Sequence, residues 1–129
     1  MNPIDATVTF ERGDRSKNEH KHKYLHMITV ITRFAVPAKV STSEMRNAFA
    51  QVAPAFRNVP HLLRKQFLLS PDGRTAGGVY LWENEAAART FMQQRVTPMI
   101  RDKFRVEPTI EFYDSPVIVE NIEPHTVPA

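Results

Sequence analysis

The distribution of apolar residues along the chain predicts four β-strands and three helices. Each predicted strand is rich in β-branched, aromatic or leucine residues and has turn-forming residues near its ends. Ser70-Pro-Asp-Gly73 is a turn sequence between the second and third strands and predicts a hairpin. A short fifth strand is expected at residues 117–119, after Pro116. The four main strands are predicted over residues 27–36, 61–69, 75–82 and 108–113.

The first helix is predicted between the first and second strands. Apolar residues recur at helical spacing from Met45 to Phe56, as in an amphipathic helix. Ser41 and Glu44 precede them in the S-x-x-E pattern of a capping box. Pro54 cannot donate a backbone hydrogen bond, so the helix is expected to end or kink there.

Two more helices are predicted after the third strand. Asn84 has the side chain of an N-cap, and Phe91 lies among the apolar positions that follow it. Thr97 and Pro98 resemble an N-cap followed by proline at the first helical position. They predict a separate short helix that ends near Phe104.

The element order β-α-β-β-α-β predicts an α+β fold of the ferredoxin-like, split βαβ type, with one antiparallel sheet and helices on one face. The other face of the sheet must also be covered. Two sheets packed face to face would cover it, so a homodimer is expected. Residues 1–26 are largely polar and form an extension that could not build its own core. Residues 27–123 are the predicted domain, and residues 124–129 a loose tail.

Composition narrows the function classes. The 129 residues contain no cysteine, which excludes disulfides, thiolate zinc sites and a cysteine nucleophile. No apolar run approaches the roughly 18 residues of a membrane span, and the N-terminus lacks the apolar core of a signal peptide. A cytoplasmic protein without a membrane partner is therefore expected. The net charge of +3 is weak support for nucleic-acid binding.

Two other binding functions, for RNA and for zinc, fit the pattern of residues less well. The RNA-recognition motif shares the β-α-β-β-α-β order and displays aromatic residues on its third strand, but its K/R-G-F/Y-G/A pattern is not met here. No nucleic-acid partner is predicted. His20, His22 and His26 form an H-x-H-x₃-H cluster that could hold zinc. Since they lie in a polar, basic segment, solvation is favoured, and no metal site is predicted.

Aromatic and glycine residues of the third strand are candidates for a binding site. Tyr80 and Trp82 stand two apart and so share one face of the strand. They could stack on a flat substrate or form the core of a dimer interface. Gly77 and Gly78 weaken a strand, so each should serve the close approach of a ligand or backbone, or a bulge.

Charged candidates lie on and before the second strand. Arg64 and Lys65 point to opposite faces, and whichever faces inward could bind an anionic substrate oxygen. The alternative for either is an ion pair or a side chain that extends to solvent. His61 is a titratable base by residue type, or else an exposed loop histidine.

The residues around the predicted hairpin resemble the YdhR-like family of proposed monooxygenases. The resemblance is carried by Leu62–Leu69, Pro71–Arg74 and Ala76–Asn84, and it extends over about residues 27–121. It implies a homodimeric α+β barrel with a pocket between sheet and helices in each subunit. Better-studied relatives, among them the antibiotic-biosynthesis monooxygenases, oxygenate electron-rich aromatic compounds without metal or flavin.

The resemblance also bears on individual residues. Trp82 matches a tryptophan that many relatives place beside the pocket. Residues 88–94 lack the histidine that haem-degrading and several oxygenating relatives carry on the following helix. This departure argues against haem ligation.

The sequence therefore predicts a cofactor-independent monooxygenase acting on an aromatic or enolisable small molecule. The alternative is a non-catalytic homodimer that binds a small ligand or a protein partner. The predicted catalytic residues are Trp82, Tyr80 and His61, and the predicted substrate-binding residues are Arg64, Lys65, Gly78, Phe49 and Phe91.

Overall fold

A computed structural model describes residues 26–121 and confirms the predicted order of elements. Apart from His26, the predicted N-terminal extension lies outside these residues, as does the predicted tail. The strands are β1 (Ile28–Ala35), β2 (Leu62–Leu69), β3 (Thr75–Trp82) and β4 (Thr109–Asp114), and the helices are α1 (Thr42–Val52), α2 (Glu85–Phe91) and α3 (Thr97–Phe104).

The four strands form one antiparallel sheet in the order β2-β3-β1-β4. Strands β1 and β3 occupy its centre, and Val30 of β1 pairs with Tyr80 on one side and Phe112 on the other. The fold is therefore the predicted α+β ferredoxin-like arrangement.

The core lies between this sheet and the helices. Alternate residues of β1, from Ile28 to Phe34, are buried, as strand geometry requires for the face that packs on the helices. Tyr80 and Trp82 project from β3 into the same layer and are almost completely buried. The helical segments contribute the buried residues Met45, Ala88, Met92, Val96 and Ile100.

The start of α1 follows the predicted capping box. The backbone N–H of Glu44 donates to Ser41 Oγ at 3.0 Å, and the backbone N–H of Ser41 donates to Glu44 Oε1 at 2.8 Å. The α-helix ends at Val52, and a 3₁₀ turn follows over Ala53–Phe56, where Pro54 was predicted to end or kink the helix. This turn sets the position of Phe56.

The prediction of a separate helix capped by Thr97 is wrong. Thr97 has helical angles, φ −59° and ψ −47°, and its backbone N–H donates to the carbonyl of Met92. A π-helical turn over Met92–Val96 joins α2 to α3. Its i→i+5 hydrogen bonds keep the chain helical up to Pro98, which has no N–H to donate. The predicted end near Phe104 is confirmed, with Arg105 in the left-handed conformation.

The short fifth strand expected at residues 117–119 is absent from the part of the chain that the structure describes. After β4, the backbone N–H of Ser115 donates to the carbonyl of Met27, and no ladder continues beyond it. Pro116 has no N–H with which to extend the ladder. Val117 and Val119 are 54% and 75% exposed.

The face of the sheet opposite the helices is apolar at its centre. Ile31 of β1 pairs with Val79 of β3, and Leu81 lies on the same face. These three side chains are half-buried in the single chain.

Within residues 26–121, no helix has the length and apolar character needed to cross a membrane.

Candidate functional site

The structure decides which of the two neighbouring basic residues on β2 faces inward. Lys65 pairs with Tyr80 of β3, on the face that packs against the helices. Arg64 pairs with Leu81 and so points to the opposite face, where its guanidinium donates to Glu120 at 3.2 Å. Of these two residues, therefore, Lys65 is the one whose side chain lies between the sheet and the helices.

The ammonium group of Lys65 lies inside a cluster of aromatic rings. Its Nζ donates to the hydroxyl oxygen of Tyr80 at 2.7 Å. The same atom lies 3.9 Å from the ring centroid of Phe56, 4.1 Å from that of Phe67 and 4.2 Å from that of Tyr80. Three cation–π contacts hold the charged form in place, while the rings remove it from water.

Burial changes the proton affinity of both members of this pair. Desolvation lowers the pKa of Lys65 to about 7. Desolvation raises the pKa of Tyr80, and a hydrogen bond with the Thr32 side chain opposes part of that effect. Within residues 26–121, no carboxylate forms an ion pair with Lys65. Near neutral pH the site therefore offers a partly deprotonated amine beside a protonated phenol.

The two glycines of β3 have different roles. A Cβ at Gly78 would lie 3.2 Å from Cε and 3.3 Å from Nζ of Lys65, so this glycine makes room for the lysine. A Cβ at Gly77 would lie 1.9 Å from the carbonyl oxygen of Thr32, so here a neighbouring backbone comes close. The pairing of β3 is regular at both glycines, and the bulge in this sheet falls at Leu63. The bulge alternative is therefore wrong for these glycines.

Two spaces border Lys65. One is a small apolar cavity of about 40 Å³ beneath α1 and α3, room for a few water molecules. The other is an open groove of about 450 Å³, and Lys65 and Phe67 line both spaces. The remaining groove residues include Phe56, Arg57, Asn58, Leu62 and Arg64. The amine is thus reached from a groove large enough for a ring compound.

Trp82 lies in the core of the protomer, together with Tyr80. Its side chain is fully buried, and its ring centroid is 5.4 Å from that of Phe91. The alternative that placed Tyr80 and Trp82 in a dimer interface is therefore wrong. Since both rings lie buried under the helices, they are not available to stack on a flat substrate or on RNA bases. Trp82 Nε1 has no hydrogen-bond partner among the residues that the structure describes.

His61 occupies the rim of a different groove, of about 400 Å³, that Trp82 and Phe91 also line. Its backbone has φ +71°, and its side chain is half exposed, with Nδ1 3.5 Å from Glu83 Oε2. It does not line the cavity or the groove beside Lys65. The predicted site residues thus form two groups, one at Lys65 and one at Trp82.

Phe56, which the sequence reasoning assigned only to the core, connects the two groups. Its ring centroid lies 6.1 Å from that of Tyr80 and 5.9 Å from that of Phe91. The predicted substrate-binding residue Phe49 belongs to the Lys65 group, because it lines the cavity and its ring centroid lies 4.9 Å from that of Phe67, with the two rings tilted by 36°. The sequence did not reveal the role of Phe56, because this residue fits the helical spacing of the core positions. The available signal was Pro54, which predicts a change of backbone conformation just before Phe56.

Thr32 was also missed as a site residue. It is a buried polar residue on the otherwise apolar inner face of β1. A polar side chain on this apolar face was the feature of the sequence that could have identified Thr32 as a site residue.

In the described part of the chain, no group of three His, Asp or Glu residues could hold a metal ion. His20 and His22, of the predicted histidine cluster, lie outside the described residues.

Solved structures that share this fold include oxygenases. SnoaB, a cofactor-independent oxygenase from Streptomyces nogalater, is 18% identical with a TM-score of 0.53, over 78% of this chain and 99% of SnoaB. The ActVA-Orf6 monooxygenase of Streptomyces coelicolor, solved with nanaomycin D, is 21% identical with a TM-score of 0.52, over 79% and 95% of the two chains. NE2512 of Nitrosomonas europaea, a protein of unknown function, is 10% identical with a TM-score of 0.60, over 79% and 99%. The chain has the α+β fold of the antibiotic-biosynthesis monooxygenases.

Comparison of the sequence with protein-family models establishes the family of this chain. Residues 28–109 match the family described as "Putative mono-oxygenase ydhR", and the chain belongs to that family. No curated protein matches the sequence. The matched segment contains β1 to β3 and all three helices, and thus both groups of site residues.

Proposed function

We propose that this member of the ydhR family is a monooxygenase that oxidises an aromatic or enolisable small molecule without a cofactor. The supporting observation is the contact of 2.7 Å between Lys65 Nζ and the Tyr80 hydroxyl, enclosed by aromatic rings and bordering a groove. The oxygenases that share the fold, one of them named as cofactor-independent, add support for the reaction class.

Lys65 would generate the reactive anion. Its neutral amine can accept the proton of a phenolic or enolic hydroxyl, because burial lowers the pKa of Lys65 to about 7. The resulting ammonium lies beside the new oxyanion and remains in contact with the rings of Phe56 and Phe67. Tyr80, which stays protonated, provides a hydrogen-bond donor in the same place.

The electrons for oxygen would come from the substrate. A phenolate reacting with O₂ at a ring carbon that bears hydrogen can give a quinone, with one oxygen atom in the product. The second oxygen atom leaves as water with the two hydrogens lost from the substrate. The enclosed apolar surroundings of Lys65 would protect the intermediate anion from proton return by solvent.

Both groups of predicted site residues have a place in this proposal. The ring of the substrate lies in the groove that ends at Lys65, with Arg64 at the rim and Gly78 beneath the lysine. Trp82, whose ring is fully buried and lies 5.4 Å from that of Phe91, would support the wall of the separate groove and make no direct contact with the substrate. His61 stays a predicted base at the separate groove.

We also propose that two copies of the chain pack through the helix-free faces of their sheets. Ile31, Val79 and Leu81 form a half-buried apolar patch at the centre of that face. The exposed residues Val117 and Val119 extend from its edge. Covering this surface would remove apolar area from water on both copies.

Oxygen uptake with a panel of phenols, quinols and flat enolisable aromatics tests the proposed reaction. We expect uptake with at least one compound, unchanged after treatment with a chelator and lost in Lys65→Met. Lys39→Met is the matched control, since Lys39 is an exposed lysine that lines neither the cavity nor the groove. Saturable binding without uptake across the panel would favour the non-catalytic ligand-binding alternative.

A further inference from the structure

The amine of Lys65 has a second possible chemistry, which does not involve oxygen. We propose that Lys65 forms a covalent imine with small carbonyl compounds that carry a carboxylate and enter through the groove bordered by Arg57. The inference is carried by Lys65 lining both the groove and the cavity, with its Nζ among three aromatic rings and beside the hydroxyl of Tyr80.

The surroundings of Lys65 are those of a nucleophilic amine. Its pKa of about 7 leaves a large neutral fraction at neutral pH, whereas an ordinary lysine is almost fully protonated. No carboxylate in the described part of the chain pairs with it to hold the proton. The nitrogen also has a defined neighbour, because it donates to the Tyr80 hydroxyl at 2.7 Å, and Gly78 leaves room for the lysine side chain.

The reaction balances with the groups present. The lone pair of Nζ attacks the carbonyl carbon to give a carbinolamine, and the amine proton passes to the former carbonyl oxygen. That oxygen then takes the second amine proton and leaves as water while a C=N bond forms, so nothing is oxidised or reduced. The Tyr80 hydroxyl, 2.7 Å from Nζ, is placed to hydrogen-bond the departing oxygen.

The shape and charge of the two spaces define the ligand class. The carbonyl end must be slim, because the cavity behind Lys65 measures about 40 Å³. The groove in front of it, about 450 Å³, has room for the rest of the molecule. Arg57 is an exposed cation on the wall of that groove and can pair with a carboxylate. A 2-oxo acid meets both requirements.

Reductive trapping tests this inference. The full-length protein is treated at pH 7 with glyoxylate and cyanoborohydride under nitrogen, and each modified lysine is located by peptide mass analysis. We expect Lys65 to be modified at least about tenfold faster than the exposed Lys103, because burial lowers the pKa of Lys65 to about 7 and leaves much of its amine neutral at the pH of the experiment. Lys65→Met should lose this fast modification, with circular dichroism as the check that the variant is folded.

The carboxylate requirement has its own variant. Arg57→Gln should slow modification of Lys65 by glyoxylate but leave modification by the neutral aldehyde propanal unchanged. Equal rates at Lys65 and Lys103 would overturn the imine proposal. Fast modification that is indifferent to Arg57→Gln would overturn the ligand class. Because oxygen is excluded, failure of this experiment is distinct from failure of the proposed oxygenase.

Discussion

Lys65 and Tyr80 occupy paired positions on adjacent strands, and the lysine Nζ lies 2.7 Å from the tyrosine hydroxyl. The pairing fixes both side chains on the inner face of the sheet, where Phe56 and Phe67 shield them from water. An amine and a phenol with oppositely shifted pKa values thus lie in contact in one apolar site. Such pairs are suited to proton transfer near neutral pH.

The pH dependence of oxygen uptake should follow the titration of Lys65. Because the proposed base must be neutral, kcat/KM should rise as the pH increases through about 7, the pKa of the buried amine. The pH profile between 6 and 9 checks this, with circular dichroism to confirm that the protein stays folded. A flat profile would remove Lys65 from the role of base.

The stability of the protein should also report the buried lysine. The pKa of Lys65 is about 7 in the folded chain against an ordinary value of 10.5, so between these values the unfolded chain binds more protons. Stability of the wild type relative to Lys65→Met should therefore rise from pH 7 to pH 10.5. Urea unfolding at pH 6, 8 and 10 measures the difference. Lys103→Met serves as control, and an equal trend in that variant would contradict the assignment.

Substitution of Gly77 and of Gly78 by alanine should lower the free energy of unfolding by different amounts. At Gly77 the added Cβ would lie 1.9 Å from the backbone oxygen of Thr32, so the strands must separate. At Gly78 it would lie 3.2 Å from the backbone oxygen of Gln66 and 3.2–3.3 Å from the flexible end of Lys65, contacts that a small shift relieves. We expect losses of roughly 3 kcal/mol for Gly77→Ala and about 1 kcal/mol for Gly78→Ala. Chemical denaturation measures both, and equal losses would contradict the two roles.

Fluorescence of the single tryptophan should report a dry environment. Trp82 is fully buried inside the protomer, so its emission should be blue-shifted and insensitive to iodide. The same spectrum is expected after dilution below any dimer dissociation constant, because helices of the same chain cover the ring. Emission that shifts to the red on dilution would instead place Trp82 at a subunit interface. Trp82→Phe supplies the blank.

The proposed dimer predicts a clear response to charge on the helix-free face. Val79→Glu would bring a carboxylate into the centre of the packed sheets, at a cost of several kcal/mol. Sedimentation analysis should show a dimer for the wild type and a monomer for this variant. Gln93→Glu adds the same charge on an exposed helical position and should remain dimeric. A wild-type monomer at all concentrations would overturn the proposal.

The sequence predicted elements well where the signals were local. Ser41 and Glu44 form the predicted capping box, and Asn84 caps α2 as expected. Such signals depend on contacts within one or two turns of the chain. The prediction that Thr97 is an N-cap failed because the chain remains helical there. A π-helical turn precedes Thr97, and its buried residues, Met92 and Val96, pack into the core.

The choice between Arg64 and Lys65 needed the tertiary structure. Strict alternation along β2 would place Leu62 and Lys65 on opposite faces, since they are three residues apart. The bulge at Leu63 puts both on the inner face, where Leu62 pairs with Trp82 and Lys65 with Tyr80. A bulge depends on pairing with the neighbouring strand, so the sequence of β2 does not reveal it.

By itself, therefore, the sequence determined the order of the elements, the turn between β2 and β3, and the residue types available for chemistry. The tertiary structure decided which of them meet. It enclosed Lys65 with Tyr80, separated His61 from that pair, and brought Phe56 between the two groups. Secondary structure follows from hydrogen bonds and side-chain spacing within short segments. A site follows from strand register and from the packing of segments far apart in the chain, which no local pattern encodes.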